Sequence, residues 1–252
     1  MRTFTSPVKY QALLAVAFWL VVWHVASRMI DNAILLVSPA QTFGRLFEMA
    51  AQRHFWQTIS FSLIRIISGF ILAIVVGVAI ASLSSRSKAL YTLFLPAFNT
   101  IKAVPVASFT ILALMWLNAS NLSVFIAFVT VLPIIYFNTY EGIKNTDLKL
   151  VEMSRVFRIS VFKMIRFVYF PAVLPYVVSA AASGLGFAFK AGVAAELIGF
   201  ARSTIGFSLQ QARTHLQTAD MLAWTIAIVL LSYIMEKIFL LCLRRVEKWQ
   251  SN

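Results

Sequence analysis

Reactive side chains are scarce in this chain. Its single cysteine, Cys242, cannot close an intramolecular disulfide, and it falls in a final apolar stretch where it reads as an inert packing residue. The three histidines, His24, His54 and His215, are scattered without a partner at metal-ligand spacing, so no metal site is expected. No Gly-x4-Gly-Lys-Ser/Thr segment occurs, so ATP hydrolysis through a phosphate loop is not expected of this chain. Gly184-Leu185-Gly186 opens a dinucleotide fingerprint, but Phe189 stands where the third glycine belongs and no soluble strand precedes it. Nothing marks a general base beside a serine or cysteine nucleophile. An enzyme reading has no positive support, and no cofactor is expected.

Charge is the next thing in short supply. Charged residues make up only 12% of the 252 residues, against 60% hydrophobic. A soluble domain could not hide that much apolar surface around one core. Several runs approach the roughly 20 apolar residues that cross about 30 Å of hydrocarbon. The expected fold is an all-α integral membrane protein with about six transmembrane helices, residues 1–252 forming one transmembrane domain. The net charge of +13 does not point to nucleic acid, because the cations sit mainly between and beyond the spans, with no basic and aromatic interleaving outside the membrane. The first apolar stretch follows Arg2 and Lys9 and reads as a retained signal anchor. Neither an internal repeat nor a low-complexity segment is visible.

The runs suggest spans near Tyr10–Ser27, Ile59–Leu83, Leu93–Leu117, Leu122–Tyr140, Tyr176–Phe200 and Met221–Leu243. With both termini inside, the inner segments carry thirteen Lys and Arg and the outer segments five. That asymmetry predicts cytoplasmic termini. In the first outer segment, Ser38-Pro39 followed by Gln41–Ala51 reads as a short helix with Phe43, Leu46, Phe47 and Ala50 on one face. Such spacing suits a helix on the membrane surface or an amphipathic connector packed on the bundle. Two Asn-x-Ser triplets, at Asn118 and Asn121, occupy an outer turn too close to the bilayer for glycosylation.

What the chain does have is a polar loop at 141–171 between apolar stretches. It holds six cations, Lys144, Lys149, Arg155, Arg158, Lys163 and Arg166, against three anions, Glu141, Asp147 and Glu152. A basic loop of this length belongs on the cytoplasmic side and can meet a soluble partner there. Residues 147–165 can form a short helix with Leu148, Val151, Met153, Val156, Phe157 and Phe162 available for burial. Glu152, Arg155 and Arg158 offer charge beside them. That combination suits a partner groove, or packing on the chain's own bundle. Pro171 and Pro175 end the loop and set the entry of the next span.

Charges within spans are costly, about 2.5–3.5 kcal/mol each at mid-membrane. Lys102, with Pro105 close behind, lies in the third span, and Lys190 and Glu196 lie in the fifth. Glu196 is six residues from Lys190, about 9 Å along a helix axis and too far for an i, i+4 pair. Solute or gate contact and structural pairing both remain open for these groups. Arg65, near a span end, reads as snorkelling. Small residues crowd the fifth span, among them Ser179, Ala180, Ser183, Gly184 and Gly192, which suits a subunit interface, a moving contact or static packing.

Glu152-Met153-Ser154, three residues, Arg158, nine more, then Val168-Tyr169-Phe170-Pro171 resembles the EAA loop of binding-protein-dependent ABC importer permeases. That pattern reads Glu-Ala-Ala, three residues, Gly, nine residues, Ile-x-Leu-Pro. The spacing fits without a gap, Glu152 and Pro171 match, and Arg158 replaces the glycine, which leaves the shape of that turn open. Ser38-Pro39, Ser62-Leu63-Ile64-Arg65 with Gly69-Phe70, Lys102-Ala103-Val104-Pro105, Pro171-Ala172-Val173-Leu174-Pro175 and Ala194-Ala195-Glu196 are similar to the nitrate/sulfonate/taurine branch of these permeases. The resemblance implies a bacterial inner-membrane, type I importer permease, with two cytosolic ATPase subunits, a second permease copy and an extracytoplasmic solute-binding protein as partners. It implies an ATPase-coupling role for Glu152, Ser154, Arg155, Phe157, Arg158 and Pro171. A solute pathway near Lys102, Pro105, Lys190 and Glu196 is the matching expectation, for a small polar solute of the nitrate, sulfonate or taurine kind. The alternative is a stand-alone secondary carrier or channel.

Overall fold

The fold is drawn from a computed structural model that describes the backbone of residues 7–250 and the side chains of residues 10–241 other than 12 and 13. Arg2, and the side chains of Lys9, Cys242, Arg244, Arg245 and Lys248, therefore lie outside the described residues, with the expectations attached to them. Among the described residues all regular structure is helical. In chain order the helices are α1 (Pro7–Ile30), α2 (Pro39–Ala50), α3 (Arg53–Arg86), α4 (Lys88–Ala103), α5 (Val106–Ala113), α6 (Ala119–Lys144), α7 (Leu148–Val156), α8 (Val161–Met164), α9 (Phe170–Gly199), α10 (Ile205–Thr214) and α11 (Thr218–Gln250). A π-helical turn, Ile165–Tyr169, joins α8 to α9. The chain divides into two compact units, Met1–Gln57 with Ser208–Ala227, and Thr58–Phe207 with Ile228–Asn252.

Four helices are long and apolar enough to cross a membrane: α3, α6, the continuous helix Val161–Gly199, and Thr218–Leu241. The 34 residues of α3 extend about 51 Å, well beyond the hydrocarbon thickness. The described apolar part of α1, Leu14–Ile30, is shorter. The run expected as one third span, Leu93–Leu117, is instead broken: α4 and α5 meet at an angle of 104°. Pro105 causes the break. It lacks an N–H and crowds the residue before it, and Val104 adopts an extended conformation (φ −74°, ψ 130°). The fifth span also differs from expectation, since its helix begins at Val161 and not near Tyr176.

In the larger unit α6 is the central element, packed chiefly on α9 and also on α4 and α5. Leu122, Ile126, Val131, Ile135 and Tyr136 of α6 are all buried. Close approach requires Gly69 of α3, where a Cβ would stand 2.2 Å from the Val124 carbonyl oxygen. Of the small residues of α9, Ala180, Gly184 and Gly192 are buried, while Ser179 and Ser183 are exposed. An aromatic ladder ties α4 to α6: Tyr91 stacks on Tyr140 at 4.5 Å, and Phe98 lies 4.5 Å from Tyr136. α5 is anchored elsewhere, with Ala113 in a cluster with Leu122, Ile126, Ala191 and Ala195. The two arms of the elbow thus have separate anchorages.

In the smaller unit α2 begins with a capping box. The Ser38 hydroxyl accepts from the Gln41 N–H and the Gln41 side chain accepts from the Ser38 N–H, with Pro39 in the first turn. Its buried face is Pro39, Thr42 and Met49, whereas Phe43 and Phe47 remain exposed. The Arg45 guanidinium holds Asp220 through Nε and Nη2 at 2.5 and 3.1 Å, and Glu48 through Nη1 at 2.9 Å. Hydrogen bonding to Asp220, then to Glu48, raises the Arg45 pKa further above its ordinary value. The Trp23 indole donates to the Val37 carbonyl, and Phe55 stacks on Trp224 at 4.9 Å.

Candidate functional site: the 141–171 loop and the polar groups of the spans

Two sets of groups meet the sequence expectations, and the structure treats them differently. The loop is built around α7. Its N-cap, Asp147, accepts from the Lys149 N–H at 2.9 Å, offsetting one of the free donors of the first turn. α7 ends at Val156, shorter than the 147–165 helix expected, because the chain reverses at Arg158 with φ 52°. The Arg158 N–H bonds the Arg155 carbonyl and the Ile159 N–H bonds the Ser154 carbonyl, the paired bonds of a Schellman cap. Arg158 therefore adopts the left-handed geometry that glycine would take in this place. For a residue with a Cβ that geometry costs about 1–2 kcal/mol.

Only Val151 and Ser154 of α7 are buried, the latter with its hydroxyl on the Leu150 carbonyl at 2.8 Å. Leu148, Val156, Phe157 and Phe162 are each more than 70% exposed, so of the apolar side chains expected to be available for burial Val151 packs on the chain itself and these four do not. Glu152, Arg155 and Arg158 are exposed beside them. Among the described residues the ion pairs are those of Arg45, so the charges of the loop have no ionic partner among them.

Past α8 the helix widens. The Phe170 N–H reaches back five residues to the Ile165 carbonyl, immediately before Pro171. Pro171 has no N–H to give and sits in the first turn of α9, where proline is tolerated. Pro171 and Pro175 therefore do not end the loop as expected. They lie inside a helix that runs unbroken from the loop into the span.

Within the spans, Lys102 occupies the last turn of α4, exposed, with Nζ 4.9 Å from the centre of the Phe137 ring. Pro105 caps α5 at the elbow. Lys190 is exposed on α9, on the same helix face as Ser179, Ser183 and Phe187, and its Nζ lies 6.0 Å from the Phe187 ring centre. Glu196 is different, being fully buried. Its Oε2 accepts from the Ser62 hydroxyl at 2.7 Å and from the Gly206 N–H at 3.3 Å, and the Ser62 oxygen accepts from the Ile205 N–H at 2.9 Å. Two orphan donors in the first turn of α10 are thus satisfied by α3 and α9. Arg65, three residues from Ser62, contributes positive charge, and its Nη1 is buried, so it does not simply snorkel. At Gly206 a Cβ would lie 2.5 Å from the Glu196 Cβ, so only glycine fits. Sequence reasoning singled out Glu196 but missed Ser62 and Gly206 as its partners.

Among the described residues no three His, Cys, Asp or Glu side chains converge on a point that could hold a metal ion.

Known proteins carry the same pattern. A family model, "Binding-protein-dependent transport system inner membrane component", matches residues 69–248. The chain is 27% identical over 245 residues to the putative aliphatic sulfonates transport permease protein SsuC of Bacillus subtilis, covering 96% of this chain and 88% of the relative. It is 23% identical over 236 residues to the taurine transport system permease protein TauC of Escherichia coli, covering 91% and 86%. Against the nitrate import permease protein NrtB of Synechocystis sp. it is 29% identical over 203 residues, covering 77% and 73%. Among solved structures, an amino acid ABC transporter chain superposes with a TM-score of 0.60 at 16% identity, covering 77% of this chain and 93% of the other. A chain of a bacterial ABC transporter that imports alginate superposes at 0.58 and 14% identity, covering 95% and 96%. These two likenesses concern the fold. With the family pattern extending over most of the chain, from α3 through the loop to α11, this protein belongs to the binding-protein-dependent transport system inner membrane components, the permeases of ABC importers.

Proposed function

We propose that this importer permease couples to a cytosolic ATPase through α7 and the turn that follows it, and passes a small polar or anionic solute along the faces of α4, α5 and α9. The carrying observation is the state of the loop: four large apolar side chains exposed beside charges that find no ionic partner among the described residues. A chain folding for itself would cover such groups, and a partner groove does so instead. Glu152, Ser154, Arg155, Phe157 and Arg158 supply the contact or its geometry. Pro171 lies in the stiff helix that carries movement from the loop into the span. The assembly has two ATPase subunits, two copies of this permease domain and an external binding protein that delivers the solute. The relatives named for sulfonates, taurine and nitrate favour a small oxyanion or sulfonate.

Lys102, Pro105 and Lys190 line the solute path, where exposed cations offset the charge of an anion crossing low-dielectric surroundings. Glu196 contributes by fixing the loop at the end of that face, its Oε2 holding Ser62 and the Gly206 N–H. Loop 141–171 and both termini face the cytoplasm, in keeping with the distribution of Lys and Arg.

The test is co-purification. A tagged copy of the chain should bring down its cognate ATPase. Reversing Glu152 to Lys, or Phe157 to Asp, should weaken that assembly or uncouple hydrolysis from uptake while membrane insertion persists. Survival of both stimulated hydrolysis and uptake would remove the loop from the coupling role. Orientation is checked separately in a Cys242→Ser background. A cysteine at Asn145 should resist an impermeant thiol reagent in intact cells, and cysteines at Ser120 and Ser203 should react.

A further inference from the structure

The coupling loop holds a cavity as well as a protruding helix. A half-open space of about 620 Å³ lies between the end of α7 and the π-helical turn. Phe157 and Phe167 are among its walls, Arg158 and Lys163 bring charge to it, and Ser160 adds a hydroxyl. No carboxylate lines it. Neither cation has an ionic partner elsewhere in the described chain. A cavity of this size with apolar walls and two uncompensated cations is built to receive something acidic and partly apolar.

We propose that the cavity receives an acidic side chain of the ATPase, flanked by apolar neighbours and seated between Arg158 and Lys163. The contact is then reciprocal: α7 enters the partner, and the partner enters the permease. This rests on the coupling reading above. A protein partner fits better than a small free anion, because the unpaired cations and exposed apolar groups continue past the cavity on both sides. Arg155, Leu148 and Val156 extend the surface along α7, and Phe162 and Arg166 extend it beyond. A free anion would use only the cavity, whereas a protein surface uses the whole strip.

Arg158 makes the proposal separable from simple misfolding. Its backbone is left-handed, so Arg158→Gly removes the cation while easing the turn. The experiment measures binding of the purified cognate ATPase to the full permease in nanodiscs, across a range of salt concentrations. Three variants are compared with the unaltered chain: Arg158→Gly with Lys163→Ala, Ser160→Trp to fill the cavity, and Phe157→Asp. The account expects Kd to rise at least tenfold for each, with a shallower salt dependence for the first. If the first two bind within twofold of the unaltered chain and Phe157→Asp does not, α7 docks without the cavity and this proposal falls while the coupling reading stands. If all three bind normally, both fall. Should sulfate or taurine change hydrolysis through the intact cavity but not the filled one, with ATPase affinity unchanged, the cavity is a small-anion site and the proposal is overturned.

Discussion

The loop at 141–171 and the end of α9 handle charge in opposite ways. In the loop, six cations and three anions stand exposed without an ion pair among the described residues, beside large apolar side chains that are exposed as well. At the end of α9 one carboxylate is fully enclosed, its oxygen shared between a serine hydroxyl and the first turn of another helix, with an arginine nearby. The first region leaves its groups uncommitted among the described residues. The second spends them on the chain's own architecture. Exposure, more than the mere presence of a charge in a span, separates groups left on the surface of this protein from groups built into its architecture.

The largest expected effect lies in the enclosed region. Glu196→Ala leaves the Ser62 hydroxyl and the Gly206 N–H without their acceptor. It should lower stability by about 3–5 kcal/mol, measured by unfolding of the purified permease in detergent. Glu196→Gln keeps an acceptor oxygen and should fall in between. A Glu196→Ala chain as stable as the unaltered one would show that the network carries no weight. The loop should behave in the opposite sense. Phe157→Asp should leave unfolding almost unchanged and weaken ATPase binding by about 2 kcal/mol or more, the scale of an interface hot spot.

Smaller effects sharpen the contrast. Lys102→Gln and Lys190→Gln remove exposed cations, so unfolding should move by less than about 0.5 kcal/mol. Solute uptake in proteoliposomes should drop several-fold for each if they line the path, and unchanged uptake would make both lysines structural. One further effect is a gain. Arg158→Gly should stabilise the permease by about 1 kcal/mol, since the turn no longer strains a Cβ. A loss of stability there would mean that the arginine side chain holds the loop together.

Legibility in the sequence followed the range of the interaction. The short helix after Ser38-Pro39 was readable because its cap lies within four residues of chain, and the structure places α2 there. The span positions of α3, α6 and α11 were readable because hydrophobicity accumulates over a whole helix. The elbow was not, because an apolar run looks alike whether straight or bent, and of two prolines in twenty-five residues, Pro96 and Pro105, only the second breaks it. The start of the fifth span was misplaced for the converse reason: Pro171 looks like a stop, yet a widened turn absorbs its missing N–H. Within the site, Glu152, Phe157 and Arg158 could be singled out from spacing, but the left-handed backbone at Arg158 is a property of the fold. The partners of Glu196 were out of reach, since Ser62 lies 134 residues away and nothing local ties the two together.

The measurement that bears most directly on the difference between the two regions is amide hydrogen exchange of the permease in nanodiscs, with and without its ATPase. The account predicts that ATPase binding slows exchange across 148–168, both on α7 and on the π-helical turn, while amides at 196–206 are protected equally in both states. Unchanged exchange across 148–168 in the assembled complex would contradict it.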